Sequence, residues 1–210
     1  MFRSLRPLRL MGLSTLFVLI ATPALARTTI MKLSASDRQA IERGKLVVRL
    51  RSSKTSNLKD VLIAGRIDAP LQVVWNIITD YPDYPKLWPR ILKSETLDQH
   101  GLTLEHKTVL DYPWPLPHAW VISQVEQSPD ERSVHWHRIA GSLKKFDGSW
   151  HLSPDGTGTL VIYSSLVDPG IPFIPPWIID WANAQVAPDV IKAIRRHVKD
   201  LPASSSTLTS

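Results

Sequence analysis

The chain has 210 residues, no Cys, and 25 Lys+Arg against 19 Asp+Glu. A length of this order predicts one domain. The lack of Cys excludes a disulfide scaffold, a thiol nucleophile, iron–sulfur and thiolate-zinc sites, and a lipobox anchor.

Residues 1–26 read as a secretory signal peptide rather than as fold. Arg3, Arg6 and Arg9 make a basic start, an apolar run covers 11–21, and Ala24-Leu25-Ala26 supplies a small-x-small cleavage pattern. The run is too short to span a bilayer of roughly 30 Å. Without those three arginines the net charge falls from +6 to +3, and no Lys/Arg block exceeds two residues. Nucleic acid is therefore not an expected partner. The expectation is a periplasmic protein, soluble and monomeric after cleavage.

Residues 27–57 form a lead-in. Ser34 or Ser36 can cap a short helix running to Arg43, with Gly44 as the stop signal, and 45–50 reads as a first strand. Over 60–68, Val61, Ile63, Gly65 and Ile67 share one face of a second strand. Pro70 then suits the first turn of a helix, and Leu71, Val74, Trp75 and Ile78 make its apolar stripe. A short helical turn is expected over 83–89.

From residue 90 to 168 the chain reads as six antiparallel strands, over 90–99, 102–111, 119–126, 133–140, 144–152 and 159–168. Turn signals such as Gln99-His100-Gly101 and Pro154-Asp155-Gly156 separate them. Helical spacing returns over 177–201, where Ile178, Trp181, Val190, Ile191, Ile194 and Val198 recur, with a break at Ala187 before Pro188. Residues 202–210 are a small polar tail, read as disordered.

An antiparallel sheet of this size must bury one face, and the C-terminal helix is the one cover long enough. The fold class is α+β, a curved sheet wrapped around its last helix, with an internal cavity expected between them. All eight Trp lie between Trp75 and Trp181, more large rings than a single core ordinarily needs. Some are therefore candidates to line that cavity.

Several strings resemble the START-like (SRPBCC, helix-grip) superfamily. They are Ile67-Asp68-Ala69-Pro70 with Val74-Trp75, Tyr81-Pro82 to Trp88-Pro89, Pro113-Trp114-Pro115-Leu116, Phe146-Asp147-Gly148-Ser149-Trp150, and Asp168-Pro169-Gly170 leading through Ile174-Pro175. The branch most resembled is the polyketide cyclase, coenzyme Q-binding and lipid transport group. The resemblance covers about 58–201, taken as one ligand-binding domain. It implies a helix-grip fold with a hydrophobic pocket for a lipid, quinone, sterol or polyketide, and it does not imply catalysis. Relatives with the Pro-Trp-Pro-Leu string commonly follow it with an Arg-Asp pair; here His118-Ala119 stands instead, so no role of that pair is carried over.

No nucleophile-elbow, zincin, P-loop or dinucleotide-binding motif is present. His135 and His137 share a strand face at a spacing that suits paired imidazole ligands, but a third ligand, His106 or His118, has no sequence-fixed place beside them. Neither a metal nor a cofactor is expected. The residues expected to touch ligand are His106, Trp120, Ile122, Trp136, Trp150, Tyr163, Trp177 and Trp181. Pro172, Phe173 and Trp177 form an apolar mouth that can gate the cavity or touch a membrane transiently. The favoured function is non-catalytic binding or transport of a hydrophobic small molecule. The alternative is a cyclase- or hydrolase-like enzyme with His106, His135 or His137 as general base.

Overall fold

The computed structural model describes residues 31–53, 56–88, 90–111, 118–173 and 175–201. The expected signal peptide (1–26), the string Pro113–Leu116 and the expected tail 202–210 lie outside these residues.

Helix α1 (Ala35–Glu42) starts at Ser34, whose hydroxyl accepts the Asp37 N–H at 3.2 Å while the Asp37 carboxylate accepts the Ser34 N–H at 2.7 Å. This reciprocal cap satisfies two backbone donors that the first turn would otherwise leave open. Gly44, at φ +76°, turns the chain out of the helix. Strands β1 (Val47–Ser52) and β2 (Lys59–Ile67) then pair antiparallel. Val61, Ile63 and Ile67 enter the main core, while Leu62 and Ala64 face the other way against Met31, Ile41 and Ile162. Strand β2 is thus buried on both faces, which accounts for its nearly continuous apolar sequence.

Helix α2 (Leu71–Thr79) buries Val74, Ile77 and Ile78. Pro70 caps it instead of occupying the first turn, and its carbonyl accepts the N–H groups of Val73 and Val74. A 3-10 turn (Tyr81–Asp83) and helix α3 (Tyr84–Leu87) follow. The chain returns as β3 (Ile91–His100), β4 (Thr103–Leu110), β5 (Ala119–Ser128), β6 (Ser133–Gly141), β7 (Lys145–Asp155) and β8 (Gly158–Asp168). All six expected strands form, with no end shifted by more than three residues.

The sheet is antiparallel throughout, in the order β1-β2-β8-β7-β6-β5-β4-β3. The segment holding α2 and α3 carries the chain from β2 to the far edge. Register shifts in β3 and between β5 and β6 add unpaired residues that bend the sheet.

The last helical stretch divides at Ala187 into α4 (Pro176–Val186) and α5 (Pro188–Asp200), because Pro188 has no N–H to continue the ladder. Ile191 and Ile194 of α5 are fully buried. The helix lies against β2 at Gly65, where an added Cβ would collide with Leu46 and stand 3.5 Å from the Ile191 Cγ2. Arg195 fixes the crossing by donating to the carbonyls of Arg66 (2.9 Å) and Gly44 (2.8 Å). Among the described residues no helix is long and apolar enough to cross a membrane.

Candidate ligand-binding site

The inner face of the sheet has two ends of different character. At one, Val61, Ile63, Val74, Ile78, Val161, Ile191 and Ile194 are at most 1% exposed. Helices α2 and α5 close this end solidly, and burial of each such side chain contributes roughly 1.5–3 kcal/mol. The expected cavity does not extend here, because branched aliphatic side chains from both helices fill the space. At the other end Trp136, Arg138, Phe146, Tyr163 and Val167 are only half-buried.

The reason lies in α4. Its buried residue is Asp180, while Trp177, Ile178 and Trp181 point outward. The Asp180 carboxylate accepts the Lys59 N–H at 2.8 Å, and the Asn183 side chain donates to the Val167 carbonyl at 3.0 Å. These bonds hold α4 at the β2–β8 side of the sheet. The inner faces of β6 and β7 stay partly open beneath it.

A run of rings joins the two ends. Trp88 and Trp150 stack at 6.4 Å between centroids, Trp150 meets Tyr163 at 4.6 Å, Tyr163 meets Trp136 at 5.8 Å, and Trp136 meets Phe146 at 6.4 Å. Burial raises the Tyr163 hydroxyl pKa above its ordinary value, so it remains a neutral phenol at physiological pH. The surface offered to a ligand is aromatic and aliphatic, with few polar atoms.

Those polar atoms lie in one row. His106, Ser123 and Arg138 are successive register partners across β4, β5 and β6, and Trp136 lies two residues from Arg138 on the same face. The Ser94 hydroxyl has one hydrogen, and it points to the Tyr81 carbonyl, an acceptor, at 2.5 Å. His106 Nε2, 2.9 Å from that hydroxyl, must therefore donate, which leaves the lone pair on Nδ1. Burial lowers the His106 pKa to about 4, so the ring is neutral at physiological pH. His106 Nδ1, Ser123 Oγ, Trp136 Nε1 and Arg138 Nε are all buried and have no partner within the described protein.

Of the residues expected to touch ligand, the structure brings His106, Trp136, Trp150 and Tyr163 to the inner face. Trp150 belongs to the packed end and is 4% exposed. Trp120 and Ile122 take the opposite phase: Ala119, Val121, Ser123 and Val125 turn inward instead. Residues 119–122 are all apolar, so alternation could not choose between the faces. Trp120 is 42% exposed on the outer face, with the Lys107 ammonium 5.7 Å from its ring centre. Trp177 and Trp181 are exposed on α4 and stand apart from the ring series.

His135 and His137 share the outer face, away from the proposed cavity, and His135 meets the ring of His151 at 5.2 Å. His118 pairs with Asp111 at 3.1 Å. No group of three or more metal-ligating side chains occurs among the described residues. Sequence reasoning missed Ser123, Arg138, Phe146 and Val167. Period-two alternation from Val134 through Trp136 reaches Arg138, so that signal was present; what it lacked was the facing Ser123 and His106, which come from distant parts of the chain. Two further recesses, of about 570 and 610 Å³, lie outside this site: one where Pro70 meets the β7–β8 turn, the other between α2, α3 and the end of α5.

The family model for polyketide cyclase / dehydrase and lipid transport matches residues 67–195. The chain belongs to this family. No curated protein matches it by sequence. Among solved structures it is similar to a STAR-related lipid transfer protein from Xanthomonas axonopodis, with 19% identity, TM-score 0.64, 82% of this chain and 98% of that one covered. Human STARD10 is also similar, with 15% identity, TM-score 0.59 and 83% of each chain covered. So is the Zhui aromatase/cyclase from Streptomyces sp. R1128, at 14% identity, TM-score 0.52, and 65% and 88% coverage. At these identities the likeness establishes the START-like helix-grip fold. Membership in this family supports the binding of a hydrophobic ligand.

Proposed function

We propose that the protein binds a hydrophobic small molecule beneath its C-terminal helices and carries it in the periplasm without altering it chemically. The observation that carries this reading is the half-covered apolar surface of Trp136, Phe146, Tyr163 and Val167. Filling that surface with an acyl chain or fused rings removes apolar area from water at about 25 cal/mol per Å². The family description, which includes lipid transport, and the Xanthomonas structure named for lipid transfer support transport, and the signal peptide reading supports the compartment.

A catalytic second reading rests on His106, whose Nδ1 lone pair faces inward. Its pKa of about 4 makes it a weak proton acceptor at neutral pH. The neighbouring Ser94 hydroxyl is committed to the Tyr81 carbonyl, so no activated nucleophile accompanies it. His135 and His137 face outward. Binding without turnover is the better account.

The test is titration of the mature chain with Nile red, a neutral apolar dye. Saturable uptake with blue-shifted emission is expected, weakened about tenfold or more in Trp136→Ala. Uptake no greater than on a protein without a cavity would refute the proposal. Periplasmic fractionation with N-terminal sequencing should find a chain beginning at Arg27.

A further inference from the structure

The polar row on the inner face has a composition that plain apolar packing does not explain. A buried donor or acceptor without a partner is costly, and four of them on neighbouring strands make a concentrated cost. Two of the residues, His106 and Ser123, are 3% and 4% exposed. The Arg138 guanidinium donates through Nη2 to the Gly141 carbonyl at 2.8 Å and leaves Nε open. Asp147, the acid on the next strand, accepts from the Arg138 backbone N–H at 3.3 Å. Among the described residues no carboxylate forms an ion pair with the guanidinium. A half-buried cation, a buried indole N–H and a serine hydroxyl thus converge on the aromatic surface already described.

We propose that this row receives the head of an acidic amphipathic ligand, specifically a long-chain carboxylate. The inference rests on the binding function proposed above and names its ligand class. Arg138 supplies the charge and the Nε–H donor, Trp136 Nε1–H a second donor, and Ser123 Oγ a third. The tail lies along Trp136, Phe146 and Val167. His106 Nδ1 can only accept, so it pairs with a hydroxyl on the ligand rather than with the carboxylate. A chain bearing a hydroxyl close to its carboxylate satisfies the whole row. With His106 neutral, Arg138 is the row's one full charge, and the carboxylate belongs at its end of the row.

The experiment compares dodecanoate, 3-hydroxydodecanoate and methyl dodecanoate by displacement of Nile red from the mature chain. The acid should bind about tenfold more tightly than the ester, and the hydroxy acid more tightly again. Arg138→Gln should abolish the preference for acid over ester, read as the ratio of the two affinities within the same variant. Trp136→Phe keeps the ring and removes the N–H, so it should reduce that preference several-fold; it remains informative if the arginine variant fails to fold. Ester binding as tight as acid binding in the unmodified protein would overturn the head-group proposal while leaving hydrophobic binding intact. Failure of all three compounds to displace the dye would also overturn it, and failure of the dye itself to bind would remove the function on which it rests.

Discussion

Gly148 lies directly beneath the indole of Trp136, its register partner across β6 and β7. A Cβ at position 148 would overlap the ring carbons and press on the Ser164 carbonyl behind it. The missing side chain therefore seats the ring that borders the open end of the site.

Gly148→Ala should cost about 1–3 kcal/mol of stability, the ordinary penalty for overpacking. It should also weaken Nile red uptake, because the indole must leave its seat. Urea unfolding gives the first quantity and dye titration the second. Unchanged values in both would show that Trp136 is free to move.

The neutral state of His106 makes stability depend on pH. Its pKa falls from an ordinary 6.5 to about 4 on folding, so above pH 6.5 neither state binds the proton. As pH drops from 6.5 towards 4, the unfolded chain takes up a proton that the folded chain refuses. Stability falls through that window and this contribution levels off below it, a total of about 3 kcal/mol. His135 and His151 are lowered by burial in the same direction, and so are the Asp37 and Glu95 carboxylates by their partners. The His106 share is therefore read as the difference in pH slope between the unmodified protein and His106→Gln, which should lose markedly less between pH 6.5 and 4.

The tie between α4 and β2 should be separable from the rest of the fold. Asp180→Ala leaves the Lys59 N–H without its acceptor, at a cost of about 1–3 kcal/mol. Hydrogen exchange should quicken at the Lys59 amide and along Pro176–Val186, with Ile191 and Ile194 still protected. Asp180→Asn retains an acceptor oxygen and should restore most of the protection.

The transient membrane contact expected from the sequence can be tested on Trp177 and Trp181 of α4, with Phe173 just before it. Phe173, Trp177 and Trp181 stand 102%, 68% and 62% exposed, and indoles favour the membrane interface. The Trp177→Ala, Trp181→Ala double variant should co-sediment with phosphatidylglycerol vesicles several-fold less than the unmodified protein. Its unfolding midpoint should barely change, because exposed substitutions shift stability by roughly 0.5 kcal/mol or less.

Much of the fold could be read from period and punctuation. Ser34 marked α1, Pro70 marked α2, the turn signals separated β3 to β8, and Pro188 divided the last helix. The site was legible where alternation had one polar marker to set its phase: on β4, His106 lies in step with Leu104, and the even face turned inward. Strand β5 opens on four apolar residues, so its phase came from packing against β4 and β6, which no local pattern reports. Arg138 stayed hidden because its importance comes from the partners facing it across the sheet. From sequence, Trp177 reads both as ligand contact and as part of an apolar mouth, and Trp181 as ligand contact only; the choice stays open because the long-range bond from Lys59 to Asp180 sets which side of that helix turns in.

Native mass spectrometry of the protein isolated from its own cells tests the central claim most directly. The account predicts a population heavier than the mature chain by a discrete hydrophobic acid, which organic extraction removes and added long-chain carboxylate restores. A single mass equal to the bare mature chain, unchanged after incubation with such acids or with Nile red, would contradict it.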